Sequence, residues 1–214
     1  LLATLPKRLQ KKTIERLRHM GVDVRLNTAL AQAEADGISL KSGERIATRT
    51  LIWAAGIKGV TLAESLESAL ARGGRVVVEP DLRLKDDSAV WVIGDLAYVE
   101  HNGQPLPQIA PVAVQQGAQV ARNIEALAAG KKTQRLRYRD KGTMATIGRN
   151  AAVAHIGGIS FAGFSAWVVW LVVHLMSLVG FRNRVVVLVN WAYNYFFYER
   201  AIRLITGEER RKAV

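Results

Sequence analysis

The stretch Val92-Ile93-Gly94-Asp95 is the most informative part of the sequence. Residues 90–93 are β-prone and apolar, which predicts a buried strand. The strand stops at Gly94, which has no Cβ and therefore lets a ligand approach the backbone. Asp95 follows and can accept hydrogen bonds from ligand hydroxyl groups at the carboxyl end of the strand, where open α/β sheets bind ligands. Because Gly-Asp also makes ordinary turns, this stretch gains its meaning from the rest of the chain.

The composition excludes several kinds of chemistry. Half of the 214 residues are hydrophobic, which is enough for a sizeable core, and there is no cysteine. Disulfides, thiolate metal sites and thiol catalysis are therefore excluded. The four histidines are scattered without ligand spacing, so we predict no metal site. The chain starts without Met and without the order of a signal peptide, and we expect it to be part of something longer.

The positive charge is concentrated in the last third of the chain. Residues 1–130 carry 16 Lys/Arg and 14 Asp/Glu, whereas residues 131–214 carry 14 Lys/Arg and 4 Asp/Glu. A basic segment suits nucleic acid or an anionic membrane surface. Here the charges flank long apolar runs, which favours the membrane and argues against nucleic acid.

The periodicity of residues 1–130 predicts alternating helices and strands. Apolar residues at helical spacing predict a helix over residues 7–20 with Gly21 as its cap, and a second helix over residues 61–72. A third helix is predicted over residues 110–127. The predicted strands are residues 22–26, 31–35, 37–40, 45–50, 51–56, 75–78 and 90–93.

The last 84 residues change in character. Residues 131–139 are predicted to be a solvated linker, and residues 138–155 two short strands. Ser165–Phe181 has no Asp, Glu, Lys or Arg, and Val185–Tyr198 is a second apolar run. The two runs together contain nine aromatic residues. Seventeen helical residues span about 26 Å, just short of the roughly 30 Å hydrocarbon core. His174 within the first run favours helices that lie in the membrane interface, although spanning stays open.

Four stretches, in order along the chain, resemble type II (non-proton-pumping) NADH dehydrogenases, which are membrane-associated two-dinucleotide-binding-domain flavoproteins. They are Leu51-Ile52-Trp53-Ala54-Ala55-Gly56, then Val92-Ile93-Gly94-Asp95, then residues 107–117 (PQIAPVAVQQG), and finally residues 138–145 (YRDKGTMA) with the aromatic tail. The first two stretches are shared by many flavin disulfide reductases, whereas the last two are more specific.

The resemblance implies an α/β fold: the C-terminal portion of a two-Rossmann-domain (FAD/NAD(P)) flavoprotein, followed by a membrane-associating α+β segment. It implies that residues 1–59 end the NADH-binding domain, that residues 60–130 return to the FAD-binding domain, and that residues 131–214 form the membrane-associating domain. The family carries two Gly-x-Gly-x-x-Gly turns that grip pyrophosphate, and this sequence has neither. We therefore expect the chain by itself to be inactive.

The resemblance also implies roles for individual residues. Gly94 and Asp95 would contact the FAD ribityl chain, and Ala110 and Pro111 would begin the helix whose N-terminus faces the flavin. The family often has Gln where this chain has Pro111. That leaves Gln115 as the main polar group for the quinone.

Lys141 would stabilise the negative charge that develops on the quinone oxygen. Ala55 and Gly56 would leave room for the nicotinamide side of NADH. Structural interpretations of the same residues stay open. Gly94 and Asp95 would form an ordinary turn, and Gln115 would be a helix-surface amide. Lys141 would be a solvated lysine, and Ala55 and Gly56 would allow tight strand packing.

The function implied is electron transfer from NADH through FAD to a membrane quinone without proton pumping. The implied partners are the quinone and a lipid surface bound through residues 165–203, at the cytoplasmic face of the cell inner membrane. A homodimer is left open. Two alternatives also stay open: another quinone-reducing flavoprotein of the superfamily, such as the sulfide:quinone type, and a basic membrane-binding module without catalysis.

Overall fold

The computed structural model describes residues 1–197, and the predicted end of the membrane segment at residues 198–203 lies outside the described residues. The chain forms two compact units. One contains Leu1–Val24 together with the chain from Gly142 onward, and the other contains Arg25–Lys141. The three segments that the resemblance implied are a prediction about function, and they stay a prediction.

The first helix, α1, spans Lys7–His19, as predicted. Leu9 is buried on its apolar face, and Gly21 follows with a φ of 82°. The strand predicted at residues 22–26 is wrong. The N–H of Val22 donates to the carbonyl of Leu17 and so completes the end of the helix instead of joining a sheet.

An antiparallel sheet opens the second unit. Its strands β1 (Leu30–Glu34), β2 (Gly37–Leu40) and β3 (Arg45–Ala47) pair in the order of the chain, close to the prediction. Arg45 lies between Glu34 and Asp36 at 3.2 and 2.6 Å. Hydrogen bonding to Arg45 lowers the pKa of the Asp36 carboxyl.

Two further predictions in this unit are wrong. Residues 51–56 are not a strand, and their apolar side chains are exposed: Ile52 is 84% and Trp53 67% accessible. An apolar run forms a buried strand only where other strands or helices cover it. The helix predicted over residues 61–72 is a 3₁₀ helix over Thr61–Leu66. It stops at Glu67, whose φ is 48°, and the chain then enters a strand.

A small mixed sheet forms the core of the second unit. Strand β4 (Leu70–Ala71) turns through two glycines into β5 (Arg75–Val77), which pairs in parallel with β6 (Ala97–Tyr98). The short strands β7 (Glu100–His101) and β8 (Gln104–Pro105) follow. Burial lowers the pKa of Arg75, whose guanidinium donates to the carbonyls of Ala97 and Leu106.

The strand predicted at residues 90–93 is reduced to a single bridge between Arg83 and Trp91. Its backbone is nevertheless held, because the N–H of Val92 donates to the carbonyl of Leu82 at 3.1 Å. A 3₁₀ turn over Gly94–Leu96 follows directly. The predicted buried strand is therefore wrong, although Ile93 keeps an extended backbone before Gly94.

Helix α2 spans Ala110–Ala128, as predicted, and buries one face against the core of this unit. Residues 131–139, which follow α2, were predicted to be a solvated linker. This is wrong, because their backbone is held by hydrogen bonds within the unit. Asn123 of α2 accepts from the N–H of Gln134 and donates to its carbonyl, and both distances are 2.9 Å. The N–H of Leu136 donates to the carbonyl of Pro80, so residues 133–139 are fixed along the unit.

In the first unit, a three-stranded antiparallel sheet precedes two helices. The two predicted strands are β9 (Thr143–Thr146) and β10 (Ala152–Ile156), and a third strand, β11 (Ile159–Gly163), was not predicted. The apolar runs form α3 (Phe164–Ser177) and α4 (Phe181–Phe197). Among residues 1–197, no helix combines the length and apolarity needed to cross a bilayer.

In the second unit, Asp81 joins residues 133–139 to the core. Its carboxylate accepts from the Thr133 hydroxyl at 2.7 Å and from Arg83 Nε at 2.8 Å. Burial raises the pKa of Asp81, but the hydrogen bonds from Thr133 and Arg83 outweigh it, and the net pKa is lowered. A carboxyl with a lowered folded-state pKa stabilises the fold above its unfolded value near about 4, and this contribution disappears as the pH falls through the folded-state value.

We therefore expect Asp81→Asn to lower the free energy of unfolding at pH 7 by about 1–2 kcal/mol. The difference from wild type should shrink as the pH falls below about 4. The measurement is urea denaturation of both proteins across that range, with exposed Asp86→Asn as the matched control. A wild-type-to-variant difference that stays constant down to pH 3 would show that Asp81 does not act through its charge.

Candidate cofactor site

The turn at Gly94 lies against the first turns of α2. Gly94 has a φ of 71°, and its N–H donates to Gln116 Oε1 at 2.6 Å. A Cβ placed on Gly94 would lie 3.9 Å from the Cβ of Ala113. A left-handed backbone conformation beside a helix is readily adopted by glycine, and this explains the residue type at the turn.

Gln116 is the residue that the sequence analysis missed. Its side chain is fully buried, and its Nε2 atom has no hydrogen-bond partner among the described residues. The signal was available, because Gln116 lies at helical spacing with Val112, Val120 and Asn123, which are buried on the same face. When Gln115 and Gln116 are both interpreted as surface amides, the burial of Gln116 is overlooked.

The groups next to the turn suit an anionic or hydroxyl-rich ligand. The Asp95 side chain is exposed, while its carbonyl accepts from Gln108 Nε2 at 2.9 Å. Helix α2 begins at Ala110 and Pro111 without a side-chain cap and without an acidic residue in its first turn. Uncapped N–H groups and the positive end of the helix dipole are therefore available to a ligand. The turn at Gly94 thus contacts the helix that begins at Ala110, and the cofactor roles of Gly94, Asp95, Ala110 and Pro111 stay a prediction.

Gln115 lies on another side of the same helix. Its Nε2 donates to the carbonyls of Pro111 and Arg139, both at 3.0 Å, and its Oε1 accepts from the N–H of Arg139 at 3.0 Å. The amide therefore pairs with Arg139 as a neighbouring strand would. Lys141 is exposed two residues further along. The structure links Gln115 to the segment that carries Lys141, and the quinone roles of both stay a prediction.

Ala55 and Gly56 lie in the exposed segment before the 3₁₀ helix, and Gly56 has a φ of 116°. The chain meets the core three residues later. The N–H of Gly59 donates to the carbonyl of Gly73 at 2.7 Å, and a Cβ on Gly59 would meet the Leu96 side chain at 3.3 Å. It is thus Gly59 that contacts the core, and the role of Ala55 and Gly56 stays a prediction.

Comparison with known proteins identifies the family. The profile of the pyridine nucleotide-disulphide oxidoreductases matches residues 1–117, and that of the NDH2 C-terminal domain matches residues 141–199. Two type II NADH:quinone oxidoreductases of Mycobacterium tuberculosis are 34% and 36% identical to this chain over 98% and 97% of its length. The chain belongs to the type II NADH:quinone oxidoreductase family. It spans about half the length of these relatives, 47% and 46%.

A solved structure supports the fold of this family member. The NDH2 of Plasmodium falciparum, solved in complex with NADH, superimposes with a TM-score of 0.80 over 92% of this chain and 56% of that one. At 15% identity, the likeness concerns the fold alone. The predicted family and the predicted fold class, a portion of a two-Rossmann flavoprotein, are both confirmed.

Proposed function

We propose that the full-length protein, rather than this chain by itself, acts as an FAD-dependent oxidoreductase that passes electrons from NADH to a membrane quinone without proton pumping. The observation that carries this proposal is the turn at Gly94 and Asp95, which lies beside the uncapped N-terminus of α2 in a member of this family. Such a turn offers a carboxylate for ribityl hydroxyls and a positive helix end for the flavin ring, the two features that a flavin dinucleotide needs.

The residues present fit a flavin. Gly94 leaves space beside the backbone, and the exposed Asp95 carboxylate can hold hydroxyl groups. Ala110 and Pro111 begin the helix whose positive end would favour a reduced, anionic flavin ring. When bound, the flavin supplies the hydride and two-electron chemistry, while the protein supplies position and charge.

We assign the two substrates to different residues. Ala55 and Gly56, which are small and exposed, would leave room for the nicotinamide side of NADH. Lys141 would neutralise charge on a quinone oxygen. Gln115 would keep its pairing with Arg139 and exchange its bond to Pro111 for a quinone carbonyl. Its amide thereby both positions the segment of Lys141 and contacts the substrate.

The membrane is proposed to meet α3 and α4. Large apolar side chains are exposed on both helices and on the turn between them, among them Val179 at 86% and Phe181 at 81%. Trp170 stacks on His174 and on Trp191, which places aromatic rings across the helix pair. Aromatic and apolar side chains next to basic residues suit the interface of an anionic bilayer. We propose peripheral attachment through residues 165–203 at the cytoplasmic face of the inner membrane.

The first expected outcome concerns the flavin. Asp95→Ala should weaken FAD binding, because each lost charge-assisted hydrogen bond costs about 1.5–3 kcal/mol. The measurement is flavin retained by the purified full-length protein on serial dilution, with Asp86→Ala as an exposed carboxylate control. Full flavin retention by Asp95→Ala at high dilution would refute the assignment of this turn.

The second concerns the quinone. Gln115→Ala and Lys141→Ala should slow steady-state quinone reduction by about 100-fold or more, because each removes a group that acts on developing charge. Flavin bleaching by NADH in a single turnover should stay near normal. Lys131→Ala, which changes an exposed lysine outside the proposed site, is the control. If both substitutions slow bleaching and spare quinone turnover, the two residues serve the NADH side.

The third concerns the membrane. Truncation after Ala162 should release the protein from membranes that otherwise retain it. Because truncation also removes the packing of α3 against the sheet, Val179→Asp with Phe181→Asp provides a second test on exposed positions. The control is Ile52→Asp with Leu62→Asp, which are also apolar and exposed, at 84% and 67%, but lie outside the helix pair. Equal sedimentation of both double variants with vesicles would remove the helix pair as the anchor.

A further inference from the structure

The segment after α2 sorts its side chains onto two sides. Leu136 and Tyr138 pack against the hydrophobic core of their unit. The alternate residues Arg135, Arg137 and Arg139 are exposed and line a cavity, to which Gln134 and Leu136 also contribute. Successive side chains of an extended chain point in opposite directions, so this arrangement follows from the fixed backbone of residues 133–139. Three arginines are thereby presented on one side.

The cavity lies between this segment and α2. Its volume is about 630 Å³, which is within the range of small-molecule sites. Helix α2 contributes Gln115, Gln119 and a fourth arginine, Arg122, and none of the lining residues within residues 1–197 is a carboxylate. Gln119 is buried and accepts from Arg122 Nη2 at 2.9 Å, which holds that guanidinium at the wall.

Among residues 1–197, no carboxylate forms an ion pair with the four arginines, Arg122, Arg135, Arg137 and Arg139. Like charges in one cavity raise its electrostatic energy unless an anion enters. The arrangement therefore favours a ligand of high negative charge.

The cavity is also organised in advance. Gln115 fixes the backbone at Arg139, and Asn123 and Gln119 fix it at Gln134. The carboxylate of Asp81 anchors Thr133 at the start of the segment. Because the backbone is already ordered, an anion binds without the entropic cost of ordering a loop.

We propose that this cavity binds a phosphate-bearing anion. The guanidinium group presents paired N–H donors whose planar geometry matches phosphate oxygens, and four such groups suit a phosphoanhydride or a phospholipid headgroup. The inference concerns a site separate from the turn at Gly94 and does not depend on the proposed electron transfer.

The test compares two triple variants of the protein. Arg135→Gln/Arg137→Gln/Arg139→Gln removes three charges from the cavity, and Lys85→Gln/Lys131→Gln/Lys132→Gln removes three from exposed positions of the same unit that do not line it. Isothermal titration measures inorganic pyrophosphate binding at low salt. We expect the arginine variant to bind at least about tenfold more weakly than the lysine variant, since paired charge-assisted bonds are lost.

A second arm identifies the source of the phosphate. Flotation with vesicles of phosphatidylcholine and phosphatidylglycerol measures lipid binding by the same two variants. A selective loss by the arginine variant in flotation assigns the site to a lipid headgroup, and a selective loss in titration alone assigns it to a soluble anion. If the two triple variants behave alike in both arms, the site does not exist. Neither readout uses NADH oxidation, so the result is independent of the proposed activity.

Discussion

The amide side chains of α2 are the constraint on which the second unit depends. A backbone segment away from a sheet still needs partners for its N–H and carbonyl groups. Helix α2 supplies them from two sides. Gln116 holds the turn at Gly94, while Gln115, Gln119 and Asn123, spaced one helical turn apart, hold residues 134–139. One helix therefore sets both the cofactor-facing turn and the segment that leads to Lys141.

This arrangement has an energetic logic. A net backbone hydrogen bond contributes only about 1 kcal/mol, but a buried donor or acceptor left without a partner costs more. Asn123 and Gln119 are themselves buried, so each depends on the segment as much as the segment depends on it. Such mutual dependence makes the hydrogen bonds between α2 and residues 134–139 cooperative. It also explains why polar side chains occupy a buried face of the helix.

How much of this was predictable differs from element to element. Helices α1 and α2 follow from apolar spacing, and β1 to β3 follow from alternation around a turn, because these signals are local. The strand predicted at residues 51–56 was wrong because the burial of an apolar run depends on neighbouring elements. The role of Gln116 could have been inferred from its helix face, whereas the pairing of Gln115 with Arg139 joins residues 24 apart and has no local signature.

The exposed run before the 3₁₀ helix has an optical consequence. Of the five tryptophans, Trp53 is exposed, whereas Trp91, Trp167, Trp170 and Trp191 are partly buried. An indole in water emits at longer wavelength than one in an apolar setting. The red edge of the protein's fluorescence therefore originates largely from one residue, and Trp53 is a built-in reporter of any surface that covers this run.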